Sequence, residues 1–255
     1  MTELMREDHG NFATLRFSGE ESLNAFSIDT YTALGCELER FAGEGRWKAL
    51  IFTGAGRAFC SGQDLDEARE AQSLSANELR ARLELLQQIT RRMRSIPKLL
   101  IAAINGPAVG FGVELTLACD ARFASADAYF MFPELARGLY FTNATLELLP
   151  AFAGNAQACD LLLSGKRWSA DEALAAGFVS RVLKASELLP ETCRFAEQAG
   201  RVPAESLAAT LGFLRARQTA AIEAALSFEV DTFLAMSAAA SSRSPTIVPA
   251  TGSAT

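Results

Sequence analysis

The sequence predicts an α/β fold of stacked strand–strand–helix units, closed by a helical C-terminal region. Three observations predict it. Short apolar or alternating runs of strand length recur through the first two thirds, each followed by a segment of helical periodicity. Beyond Leu183 the chain has no further strand-like run and reads as helical to about Ala240. Between the two lies Asn105 to Asp120, NGPAVGFGVELTLACD, where the apolar run Leu99–Ile104 meets a glycine-containing turn and then a breaker-free helical segment.

Taken in order, Phe12–Phe17 alternates and predicts a strand, and Ser22–Ser27 predicts a connecting turn. Ser27 is placed to cap a helix from Ile28 to about Phe41. Lys48–Thr53 predicts a buried strand ended by Gly54-Ala55-Gly56, and Ala58–Leu65 a short strand running into a turn. Glu67–Ser75 is polar and predicts a mobile connection. Apolar spacing at Leu79, Leu83, Leu86, Ile89 and Met93 predicts a long helix over Glu78–Ser95, stopped by Pro97. Ala121–Phe132 predicts two short strands around Ser125-Ala126-Asp127. Helices follow over Asn143–Gly154 and Ala156–Leu163, and Ser169 with Glu172 forms a capping-box pattern for a third. Phe178–Leu183 predicts a strand. The domain reading is a core over 1–195, a helical region over 196–240, and a disordered small-residue tail over 241–255.

Composition narrows the function. The chain has 255 residues and a net charge of −6, which argues against non-specific nucleic-acid binding. No stretch is apolar enough for a membrane span. The N-terminal MTELMREDHG lacks the apolar core of a secretory leader. The five cysteines are widely spaced with no metal-ligand pattern, so reduced thiols, a cytoplasmic location and no metal site are expected. His9 is the only histidine and falls in a polar turn, so any acid–base chemistry must come from carboxylates, Tyr, Lys or Cys. The strand–turn–helix stretch supplies a candidate. Free N–H groups and the helix dipole above such a turn favour an anion or a developing oxyanion. Glu114 sits on that helix's first turn among apolar neighbours, where a solvated helix-face acid is the alternative reading.

Five stretches, in this order and spacing, resemble the crotonase (enoyl-CoA hydratase/isomerase) superfamily. They are Leu23-Asn24-Ala25-Phe26, Ala58–Leu65 (AFCSGQDL), Asn105–Asp120, Phe132-Pro133-Glu134-Leu135, and Gly165–Val179 (GKRWSADEALAAGFV). The resemblance implies a spiral of ββα repeats with a helical trimerisation region, assembled as a homotrimer or dimer of trimers. It implies an acyl-CoA substrate, with coenzyme A part of the substrate and no separate cofactor. By position it implies backbone N–H groups of Ser61 and Phe111 as the oxyanion hole, and Glu114 and Glu134 as the two acids that hydratases use to place water and move a proton. For substrate and CoA contacts it points to Asn24, Ala25, Phe26, Ala58, Ser61, Gly62, Gln63, Asp64, Leu65, Gly110, Tyr140 and Phe141. Asp64 has a helix-cap reading beside this one. Arg57, Lys98 and the 91–94 cluster stay open as partners for the CoA phosphates.

Three departures from the family pattern bear on the chemistry. Phe111 stands in the middle of the usual triple glycine. Leu139–Thr145 (LYFTNAT) replaces a Pro-Gly…Gly-Gly run, with Thr142 where a glycine amide normally helps to hold water. The usual Glu-Lys-Arg ending of the last helix is missing after Met236. The expected activity is hydration of a 2-enoyl-CoA to a 3-hydroxyacyl-CoA. The alternatives are Δ3-Δ2 isomerisation with Glu134 as sole base, a specialised C–C lyase, and a non-catalytic CoA-binding homologue.

Overall fold

The structure, a computed structural model, describes residues 1–242 of the chain. Six strands form the main sheet in the order β1 (Glu3–Asp8), β2 (Phe12–Ser18), β3 (Ala49–Gly54), β4 (Leu99–Ile104), β6 (Ala121–Ser125), β9 (Arg181–Leu183). β1 and β2 pair antiparallel, and the other neighbours pair parallel. A smaller sheet joins β5 (Ala108–Val109), β7 (Tyr129–Met131) and β8 (Trp168–Ser169). The two middle strand–strand–helix units are split between the sheets: β4 and β6 lie in the large one, and β5 and β7 in the small one.

The continuous apolar runs mark strands covered on both faces. Every residue of β3 and β4 is buried. Alternate side chains go to opposite faces. Leu50, Phe52, Leu100, Ala102 and Ile104 join the larger core beside α1 (Ile28–Gly43), α3 (Ala76–Ser95) and α4 (Phe111–Ala118). Ile51, Ile101 and Ala103 meet Leu188 and Ala196 of α8 (Ala185–Gly200) and Leu211 of α9 (Ala204–Ala216). The boundary expected at 195/196 thus falls inside a helix that covers the sheet. α10 (Thr219–Ser242) lies against α3 and α5 (Thr145–Ala153). α6 (Asn155–Ser164) and α7 (Ala170–Ala175) complete the helices. Among the described residues, no helix is long and apolar enough to cross a membrane.

The structure differs from the sequence reading in several places. β1 was not expected, because ELMRED is polar; it is an edge strand with one partner and mostly exposed side chains. Ala58–Leu65 forms no strand, only single bridges at Cys60–Ala108 and Phe26–Gln63, because Gly62 (φ +102°) breaks the extended run. The polar stretch after Asp64 is helical in α2 (Leu65–Glu70), since the Asp64 carboxylate accepts from Asp66 and Glu67 N–H. Phe178 and Val179 are not in β9; their N–H groups bond Ala173 C=O and close α7. The tail expected over 241–255 lies, from residue 243 onward, outside the described residues.

Candidate active site

Two loops meet beneath one cleft, and two buried or half-buried asparagines fasten them. Asn24 donates to Ala55 and Ala58 carbonyls at 3.0 and 2.8 Å and accepts from Gly19 N–H at 2.9 Å. Asn105 accepts from Gly54 N–H at 2.9 Å and donates to Gly56 and Ala58 carbonyls. Between the loops, Phe59 N–H bonds Pro107 C=O and Val109 N–H bonds Cys60 C=O. Gly112 permits this approach, because a Cβ there would lie 2.3 Å from the Cys60 oxygen.

The backbone amides of these loops are not equivalent. Ser61 N–H donates to Leu23 C=O at 3.0 Å, so the amide expected to hold an oxyanion is already used. Phe26 N–H bonds Gly62 C=O, and Asp64 N–H bonds Phe26 C=O. By strand alternation the Gln63 N–H between them faces away from Phe26. Among the described residues, neither Gln63 N–H nor Phe111 N–H has an acceptor. A Cβ on Gly62 would lie 3.7 Å from Phe111 N, which puts the two loops side by side at this point. Phe111 is the first residue of α4 and lies at its electropositive end.

The cleft spans about 770 Å³ including the open solvent at its mouth. Ser61, Gly62, Gln63, Leu65, Gly110, Phe111, Glu114, Glu134, Tyr140 and Thr142 line it. An adjoining groove of about 920 Å³ shares Ala68, Leu79, Tyr140 and Phe233 and reaches Met236 on α10. Asn24, Phe26, Ala58 and Phe141 do not line the cleft; each is buried. Phe26 packs on Phe17, Tyr31 and Phe111, and Phe141 stacks edge-on against Phe132. Ala25 also lies off the cleft, and its carbonyl accepts from Thr2. Asp64 acts as a helix cap. Lys98 donates to Phe41 and Glu44 carbonyls, and Arg91, Arg92 and Arg94 pair with Glu223, Glu39 and Gln218. Of the basic residues considered for phosphate, only Arg57 is exposed without a side-chain partner among the described residues.

The two carboxylic acids sit in opposite environments. Glu114 is 2% exposed and is not a solvated helix-face acid. Its Oε1 accepts from Thr142 N–H (3.0 Å) and Thr145 Oγ (2.8 Å); its Oε2 accepts from Asn143 Nδ2 (2.9 Å) and Thr142 Oγ (3.1 Å). Glu134 has the reverse: its Oε2 is buried with no hydrogen-bond partner among the described residues. Its Oε1 rests over Gly110, where a Cβ would come within 2.4 Å. Burial, and then the neighbouring Glu114, push the Glu134 carboxyl from its ordinary 4.5 up to about 8.

A third acid, Glu229 of α10, was missed by the sequence reading. It is fully buried and accepts from Ala144 N–H (2.8 Å) and Leu146 N–H (3.1 Å). Burial and then Glu114 raise its carboxyl to about 8 as well. It holds the first turn of α5 and so the Thr142–Thr145 cradle of Glu114. The available sequence signal was one acid in an otherwise apolar helical stretch, AALSFEV. Among the described residues, no cluster of three or more His, Cys, Asp or Glu could hold a metal ion.

Comparison with known proteins bears on this geometry. The enoyl-CoA hydratase/isomerase family model matches residues 7–248. A probable enoyl-CoA hydratase, echA12, of Mycobacterium leprae is 36% identical over 177 residues, 67% of this chain and 60% of its own length. The chain therefore spans about three fifths of that relative. A crotonyl-CoA hydratase of Syntrophomonas wolfei is 32% identical, with 90% of this chain and 88% of the relative covered. The crystal structure of an enoyl-CoA hydratase/isomerase from Xanthobacter autotrophicus Py2 superposes with a TM-score of 0.86 at 30% identity, covering 91% of this chain and 86% of that one.

Proposed function

Since this chain belongs to the enoyl-CoA hydratase/isomerase family, we propose that it hydrates a 2-enoyl-CoA to the 3-hydroxyacyl-CoA. The observation that carries the reading is the opposed setting of two acids on one cleft. Addition of water across a conjugated double bond needs one group to take a proton from water and another to give one to Cα. Glu134, with its Oε2 unpartnered among the described residues and its carboxyl raised to about 8, keeps its proton at neutral pH and is the donor. Glu114 meets Thr142 N–H and Asn143 Nδ2, which can only donate, so both its oxygens are presented as acceptors. It is the proton sink on the water side.

The thioester oxygen gains negative charge as the enolate forms. We assign its two donors as the N–H groups of Gln63 and Phe111, the unpaired amides beside the cleft. Each is expected to contribute about 3 kcal/mol to the barrier. The reaction then needs no separate cofactor, with CoA entering as part of the substrate and Arg57 the candidate for its phosphates. The adjoining groove supports a substrate whose acyl chain extends beyond the short-chain length. Five free cysteines support a reducing, cytoplasmic setting. Exposed Phe213 and Leu214 on α9 and Phe228 on α10 support assembly into trimers, which light scattering would measure directly.

The test is loss of the conjugated thioester absorbance with crotonyl-CoA and a longer 2-enoyl-CoA, with mass analysis for one added water. Glu114→Gln should lower hydration by ~10²–10⁴-fold. An unchanged rate in that variant would exclude the two-acid mechanism.

A further inference from the structure

Resting on the hydratase reading, the geometry points to the Thr142 hydroxyl as a proton relay between the attacking water and Glu114. A carboxylate has about four lone-pair sites, and protein donors fill all four on Glu114. A water cannot bind it directly unless one donor leaves. Thr142 N–H is fixed in the backbone. Asn143 and Thr145 are fully buried, and the Asn143 amide is locked because its Oδ1 accepts from Thr90 Oγ at 2.9 Å. Thr142 is the one member of the cradle that lines the cleft.

Its hydroxyl bonds are countable. It donates its single proton to Glu114 Oε2 at 3.1 Å and accepts from Asn143 Nδ2 at 3.0 Å. One lone pair remains for the cleft. A water donating into that lone pair is linked to Glu114 through the hydroxyl. As the water oxygen bonds Cβ, its proton passes to Thr142 Oγ while the Thr142 proton passes to Glu114 Oε2. The double-bond electrons move onto the thioester oxygen, and the enolate takes the Glu134 proton at Cα. Glu114 ends protonated and Glu134 ionised, and exchange with solvent resets both. The step neither oxidises nor reduces.

The test compares Thr142→Val with Thr142→Ser. Valine keeps the backbone N–H that holds Glu114 Oε1 and removes only the hydroxyl. Hydration by Thr142→Val should fall on the order of a hundredfold or more in kcat, with Thr142→Ser retaining most of the rate. In the same variants, exchange of the Cα proton of butyryl-CoA with D2O at pH 9 reports Glu134 and the oxyanion amides without any water addition, and should stay unchanged. Thr142→Val hydrating at the parent rate would overturn the relay. Loss of exchange together with hydration would overturn it too, by showing general damage to the site, and so would failure of serine to retain the rate. A parent protein that exchanges but never hydrates would instead overturn the hydratase reading beneath it.

Discussion

Substitution of Glu134 by Gln should abolish hydration and, at alkaline pH, stabilise the protein. The native carboxyl keeps its proton up to about pH 8, whereas in the unfolded chain it ionises near 4.5. Between these values the folded state binds the extra proton, so stability falls as pH rises, by about 1.4 kcal/mol per pH unit. The full window sets a ceiling of roughly 5 kcal/mol. Glu134 is half-buried, and solvent screening reduces this to a few kcal/mol. Glutamine has no proton to lose. Parent and variant should therefore be equally sensitive to urea near pH 4.5 and should separate progressively up to pH 8.5, the variant being the more stable. Glu229 titrates in a similar range but is present in both proteins and cancels in the difference. The parent kcat should decline as pH rises through about 8, where the donor loses its proton. A stability gap that is the same at pH 5 and 8.5, or a parent kcat that climbs through pH 8, would refute the assignment of Glu134 as a protonated donor.

Two further substitutions probe how the acids are held. Gly110→Ala forces an L residue to φ +52° and drives a methyl against Glu134 Oε1; steady-state kinetics should show a kcat loss larger than any rise in KM, and thermal melting a loss of ~1–3 kcal/mol. Glu229→Gln offers one acceptor where two N–H groups need them, at a cost of ~1–3 kcal/mol; hydration should fall because the Glu114 cradle loosens, while Cα exchange, which uses Glu134, should persist.

What the sequence made legible was local. Ser27 and Ser169 announced their helices because a cap and its N–H partners lie within one turn. Leu99–Ile104 announced a strand because an uninterrupted apolar run of six leaves few alternatives. The features that escaped depend on distant contacts. Whether Ser61 or Gln63 has the spare amide is decided by Leu23 C=O and Phe26, some forty residues earlier in the chain. Glu229 meets Ala144 across 85 positions, and nothing near it in sequence hints at a partner. Glu114 looked like a lone acid whose exposure was open. Its burial is offset by donors from 28 to 31 residues downstream, which no helical periodicity reports.

The division of labour between the acids follows from how polar groups are satisfied rather than from any difference in residue type. A buried ionised carboxylate is tolerated when its lone pairs are filled. On Glu114 the lone pairs are filled, with four bonds from one short segment. A buried carboxyl with an empty oxygen holds its proton instead, and Glu134, close enough to Glu114 to feel its charge, is that group. The same saturation leaves Glu114 no free lone pair, so on the proposed reading its contact with a reacting water runs through whichever donor faces the cleft. That donor is Thr142, and its segment is anchored from behind by Glu229 on α10. The C-terminal helix thus reaches the proposed acid pair through packing: removing the buried Glu229 carboxyl should alter the setting of Glu114 without touching the cleft.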